Sequence, residues 1–166
     1  MALPIFIFMN NNLIEQKHGV STTYVGVGTH NHIPAVFKYL KTQSKFLREL
    51  TAYQRLSTCA FVPTLLDFNE VERCLIVEYV GASLDIKYRP ADRKVFKPRI
   101  QEMHEVLIKD YGVHHNDIRW KNVVESDNGD LYLIDFERWT SVESGSMERD
   151  PEKILDSWQS GLLQRS

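Results

Sequence analysis

Apolar and β-branched residues recur in short runs over the first half of the chain, broken by glycines and polar clusters. Residues 13–15, 22–27 and 34–40 read as three short strands. Tyr24, Val25, Val27, Val36, Phe37 and Tyr39 are the residue types that suit a pleated surface. Gly19, Gly28 and the stretch Thr29-His30-Asn31-His32 separate the three. The period then lengthens. Phe46, Leu47, Leu50, Tyr53 and Leu56 recur at helical spacing, so residues 42–56 read as an amphipathic helix with Thr42 or Ser44 as its cap. Tyr24, Phe37 and this helical stripe are expected in the core. Residues 61–68 and 74–80 return to strand character, joined by a turn at Asn69-Glu70-Val71-Glu72.

Residues 81–98 mix Gly81, Pro90 and Pro98 with many charges and read as a linking segment. Ile100, Met103, Val106 and Leu107 share one face of a helix over 100–109, with Glu102, Glu105 and Lys109 on its solvated side. Residues 123–124 and 131–134 read as a hairpin around the turn Ser126-Asp127-Asn128-Gly129-Asp130, since an Asn-Gly pair is a strong hairpin signal. Asp150-Pro151 opens a last helix to about residue 163. The fold class is therefore α+β, a strand-rich part over 1–81 followed by a helix-and-hairpin part over 82–166.

Composition narrows the function classes. With 43% apolar residues, the chain has too much to bury for intrinsic disorder. Twenty basic against 22 acidic residues leave a charge of −2, which argues against nucleic acid as a partner. Two cysteines, Cys59 and Cys74, are too few for a disulfide framework and lack metal spacing, so a reducing, cytoplasmic compartment is expected. The apolar run from Leu3 to Met9 is far shorter than the roughly 20 residues of a membrane span, and reads as a strand or packed tail.

The chemistry concentrates in His115-Asn116-Asp117-Ile118-Arg119-Trp120-Lys121-Asn122 and, thirteen residues on, Asp135-Phe136-Glu137. One carboxylate, an asparagine five residues later and a second carboxylate after an apolar strand form the polar set that phosphoryl transfer from a nucleotide needs. Mg²⁺ takes hard oxygen ligands and keeps phosphates and waters in its shell, so two protein ligands suffice. His115 is expected to pack beneath the loop, and His18, His30 and His32 to lie at turns.

The strings H-N-D-I-R-W-K-N and D-F-E resemble the catalytic loop and metal-binding motif of the protein-kinase-like superfamily, H-R-D-x-x-x-x-N and D-F-G. The resemblance implies a bilobal kinase-like fold and the cofactors ATP and Mg²⁺. Asp117 becomes the catalytic base or acceptor-orienting residue, Arg119 the cation on the transferring phosphate, and Asn122 and Asp135 the metal ligands. Upstream, Ala35-Val36-Phe37-Lys38 is similar to V-A-I-K, which makes Lys38 the phosphate ligand. Glu49, on the next helix, is then its ion-pair partner in preference to Glu15, which has no helix to carry it. Glu78-Tyr79-Val80 resembles the hinge whose backbone holds adenine, so Glu78 and Val80 join the nucleotide site. Gly19 falls where a phosphate-covering loop belongs, although G-x-G-x-x-G is absent; Gly26 and Gly28 sit too close to Lys38 for that role.

Asp-Phe-Glu in place of Asp-Phe-Gly also resembles choline and aminoglycoside kinases. Only 29 residues follow Glu137 and no A-P-E string occurs, so a reduced helical C-lobe is implied. The expected function is ATP-dependent phosphotransfer, of the serine/threonine protein kinase type, to a protein substrate or a small alcohol, with a partner protein that could complete the C-lobe. The alternatives are a choline/aminoglycoside-type small-molecule kinase and a pseudokinase acting as a binding module.

Overall fold

A computed structural model describes residues 16–18 and 24–144. The expected strand at 13–15, the run at 3–9, Gly19 and the helix after Asp150 lie outside the described residues. The protein is mixed α and β, with antiparallel sheets and few helices.

Strands β1 (Gln16–His18), β2 (Tyr24–His30), β3 (Ile33–Tyr39), β4 (Leu65–Asn69) and β5 (Cys74–Glu78) form one antiparallel sheet in the order β1-β2-β3-β5-β4. Strand β2 runs through Gly26 and Gly28 to His30 rather than stopping at Val27. Asn31 (φ 49°) and His32 (φ 68°) then turn the chain in two residues, the positive-φ pair that matches strand twist. Strand β4 starts only at Leu65. Pro63 has no N–H for a ladder, and the residues before it are spent on turns, Cys59 N–H to Leu56 O at 2.9 Å and Val62 N–H to Cys59 O at 3.2 Å.

Helix α1 (Gln43–Arg55) packs Phe46, Glu49, Leu50, Ala52 and Tyr53 inward, and Thr42 caps it by accepting from Lys45 N–H at 3.3 Å. Three expected core residues are not in the core, and one of them, Phe37, is only half-buried on the sheet face opposite Lys38. Leu47 is 46% exposed because it sits one position around from the Phe46–Leu50–Tyr53 face, and Tyr24 is 60% exposed at the first residue of its strand.

The segment 81–98 is folded rather than a linker. It holds β6 (Ala82–Ser83), α2 (Leu84–Lys87) and a 3-10 turn at Asp92–Phe96. Apolar side chains dispersed among its charges explain why: Leu84 is fully buried, and Tyr88 stacks on Phe96 with ring centroids 5.0 Å apart. Gly81 (φ 143°) lies so close to the next strand that a Cβ there would stand 2.2 Å from the Glu125 carbonyl oxygen. Helix α3 (Lys97–Tyr111) is longer at both ends than the apolar stripe indicates. Pro98 suits its first turn and Gly112 ends it in the left-handed region.

Strands β7 (Val113–His114) and β10 (Thr140–Ser141) pair antiparallel, and β8 (Val123–Glu125) lies between β6 and β9 (Leu131–Leu133) in a second sheet. The core is contiguous, running from Phe46, Leu50 and Leu75 to Ile100, Leu107, Leu133 and Phe136. No helix among the described residues is long and apolar enough to cross a membrane.

Candidate active site

Strand alternation sets the first part of the site. Lys38 stands opposite Val25 on β2 and Leu75 on β5, so these three share one face of the sheet. Two residues along, Val27, Val36 and Val77 form a second apolar row on that face, next to the chain leaving β5. Helix α1 crosses here and brings Glu49, fully buried, to Lys38: the Nζ lies 2.8 Å from Oε1 and 2.7 Å from Oε2.

The second part arrives from 97 residues away. Asp135 follows β9 in the left-handed region (φ 67°), a conformation aspartate tolerates better than most residues, and its Oδ1 accepts from Lys38 Nζ at 3.0 Å. Burial opposes ionisation of Asp135, yet the Lys38 ammonium wins and holds its carboxyl below the ordinary range. Burial likewise opposes the charge on Lys38, and Glu49 and Asp135 overcome it to push the ammonium's pKa up. Burial raises the Glu49 carboxyl while Lys38 pulls it back.

The loop between β7 and β8 supplies the third part. Asn122 donates its side-chain N–H to the Asp117 backbone oxygen at 2.9 Å and to Asp117 Oδ2 at 3.2 Å, which turns its own Oδ1 away from Asp117. Arg119 Nε sits 2.5 Å from Asp117 Oδ1, and Arg138 Nη1 approaches the same oxygen at 4.0 Å. His115 underlies the loop as expected, fully buried against Phe136 with ring centroids 4.6 Å apart. Its Nε2 lies 3.0 Å from Ile134 O, and its Nδ1 3.3 Å from the Asp117 backbone N–H. A carbonyl only accepts and an amide only donates, so the neutral imidazole protonated on Nε2 serves both partners. Burial lowers the His115 pKa, in the direction this bonding requires. Asn116 (φ 61°) anchors the loop start through bonds to Arg138 O at 3.1 Å and Thr140 Oγ1 at 2.8 Å.

Of the residues singled out from sequence, Lys38, Glu49 and Asp135 therefore meet directly, and Asp117, Arg119 and Asn122 form a second bonded group. Glu78 ends β5. Its N–H bonds Thr64 O at 2.8 Å and that of Tyr79 bonds Pro34 O at 2.9 Å, so the chain toward Val80 is fixed to the sheet.

Sequence reasoning missed Glu137. Its carboxylate reaches Lys38 Nζ at 3.5 Å and Lys45 Nζ at 3.3 Å, and with Glu49 and Asp135 it forms a group of three carboxylates within 4.8 Å of one another. The signal was present: a glutamate stands where the resembled motif has glycine, which adds a charge two residues after Asp135. Trp139 was also missed. Its indole N–H bonds Arg48 O at 2.7 Å, and with Arg48 Nη1 to Glu137 O at 3.5 Å it ties the segment after Asp135 to α1.

The carboxylate oxygens of Asp135 and Glu137 are the hard donors a Mg²⁺ ion takes, Asn122 Oδ1 on the next loop is of the same chemistry, and the Lys38 ammonium beside the two carboxylates suits phosphate oxygens. No protein-family profile matches the chain, and a search of curated proteins finds no similar sequence.

Proposed function

We propose that the chain is an ATP-dependent phosphotransferase with the bilobal arrangement of the protein-kinase-like superfamily, acting on a hydroxyl acceptor of the serine/threonine type. The observation that carries this reading is Lys38. It lies on a strand and bonds Glu49 from the following helix and Asp135 from 97 residues further on, while Asp117 and Asn122 bond each other on the adjoining loop. An isolated ion pair is common in folded proteins. A lysine shared by these two carboxylates, next to an Asp–Asn pair five residues apart, is the polar set that nucleotide phosphoryl transfer calls for.

In this reading Lys38 takes the phosphates of the nucleotide, and Glu49 keeps its ammonium charged and aimed. The rows Val25–Lys38–Leu75 and Val27–Val36–Val77 offer an apolar bed for a base, with the Glu78–Val80 backbone at its edge. Asn122 and Asp135 hold Mg²⁺, which when bound neutralises charge on the phosphates. Asp117 orients the acceptor hydroxyl and receives its proton. Arg119, bonded to Asp117, stands ready to meet the charge of the phosphoryl group in transfer. The neutral His115 fixes the backbone at Asp117 and at Ile134, the residue before Asp135, so both carboxylates hang from one buried imidazole.

Purified protein with Mg²⁺ and labelled ATP is expected to transfer phosphate to itself or to an added hydroxyl acceptor. Asp117→Ala and Asp135→Ala should each reduce transfer by about a hundredfold or more, the usual worth of a positioned acid–base or charge-stabilising group. Nucleotide binding without transfer to any protein, peptide or alcohol would leave a binding module in place of an enzyme.

A further inference from the structure

The acceptor side of Asp117 is built from cations. Arg119 and Arg138 both approach Asp117 Oδ1, at 2.5 and 4.0 Å, from a carboxylate that is itself 11% exposed, while the side chain of Arg138 is 58% exposed. Both guanidinium groups therefore border this carboxylate. Lys121, exposed on the same loop, adds a third cation. The other carboxylates of the site are turned elsewhere, since Glu49, Asp135 and Glu137 all converge on Lys38. Arg138 is also held in place, because its backbone oxygen accepts from Asn116, the residue before Asp117. A guanidinium carries five N–H donors in a fork that fits carboxylate and phosphate oxygens, and one 4.0 Å contact leaves most of them to spare.

We infer that the acceptor is a hydroxyl compound with an anionic group beside the hydroxyl, read by Arg138. This rests on the phosphotransferase reading above. Cationic alcohols such as choline and aminoglycosides would bring like charge against two guanidinium groups, and like-charge juxtaposition is how a site rejects a wrong partner. Two sources offer the favoured chemistry, a Ser or Thr flanked by Asp or Glu in a peptide, and a small phosphorylated alcohol.

The test compares five acceptors under Mg-ATP: a Ser peptide flanked by Asp and Glu, the same peptide flanked by Lys and Arg, glycerol 3-phosphate, choline and kanamycin. Binding of the two peptides, labelled with a fluorophore, is measured separately without nucleotide by anisotropy. The acidic peptide or glycerol 3-phosphate is expected to lead in kcat/KM by about tenfold or more, and which of the two leads identifies the source. The acidic peptide should also bind more tightly than the basic one. Arg138→Glu should reverse the order of the peptides, and Arg138→Gln should abolish the difference. A lead for the basic peptide, choline or kanamycin overturns the inference, as does a peptide order that neither Arg138 variant changes. Stabilisation by Mg-ATP with neither transfer nor selective binding sinks the acceptor assignment alone. Absence of any Mg-ATP effect on the wild-type chain sinks the phosphotransferase reading as well.

Discussion

Lys38 and His115 show how single residues govern this site through what surrounds them. Glu49 is fully buried and its charge is matched by one ammonium. Removing one partner of a buried pair leaves the other uncompensated, which costs about 3–5 kcal/mol. Asp135 and Glu137 remain beside Lys38, so Glu49→Ala is expected near the low end, about 3 kcal/mol, measured by urea unfolding. His115 makes a separate prediction. Its folded pKa lies below the ordinary 6.5, so the unfolded chain binds a proton first as pH falls. The stability this contributes is complete above about pH 6.5 and is lost as pH drops from there toward the folded pKa. The slope is at most about 1.4 kcal/mol per pH unit. Thermal unfolding between pH 7.5 and 5 should show it, and His115→Gln should flatten it. Asp135 works at lower pH with the same sign. Its depressed carboxyl adds stability that is present above its ordinary pKa of 3.8 and lost as pH falls through the folded value.

At the scale of elements, the feature that matters is the strap from Phe136 to Trp139 across helix α1. Phe136 meets Tyr53 edge-on at 5.7 Å, Glu137 pairs with Lys45, Trp139 bonds Arg48 O, and Arg55 lies 6.0 Å from the Trp139 ring. Glu49 is on the buried side of that helix, so the strap and the Lys38 pair hold α1 from two directions. Trp139→Phe keeps an aromatic ring but removes the indole N–H donor. It should cost about 1 kcal/mol and raise hydrogen exchange in α1 before it raises exchange in β3. Helix α3 ends by a different device. Gly112 has φ 64°, and a Cβ there would stand 2.9 Å from Arg55 Nη2, the far end of a flexible side chain. Gly112→Ala should therefore cost about 1 kcal/mol, mainly the left-handed strain, read as a lower unfolding midpoint.

For the whole molecule, one contiguous core joins the five-stranded sheet to α3 and the β6–β8–β9 sheet, and Leu133 N–H to Phe61 O at 2.9 Å stitches the two sheets' surroundings together. The site is spread over this core, so ligand binding should register in global stability. Under the phosphotransferase reading, Mg-ATP at a hundred times its dissociation constant should stabilise the fold by about 2.7 kcal/mol. Lys38→Ala should remove most of that shift, measured by thermal denaturation with and without nucleotide. A shift that survives Lys38→Ala unchanged would place the nucleotide elsewhere.

Local pattern was enough to find the main sheet strands, the two long helices and several side chains that the fold brings together. The helical stripe from Phe46 to Leu56, the turn at Asn128-Gly129 and the Asp117–Asn122 pair rest on interactions between near neighbours, which the sequence displays directly. Residues 81–98 misled because charges and prolines hide the few apolar side chains that decide burial, and Leu84 is buried only because another strand passes beside it. Glu137 was legible as a letter but not as a group, since a carboxylate's role depends on which cation it faces, and Lys38 and Lys45 reach it only through the packing of α1. The sequence by itself determined which residues could act and on which elements they sit. Only the tertiary structure decided which of them meet, because charges far apart in the chain interact over a few ångströms once folding closes the distance.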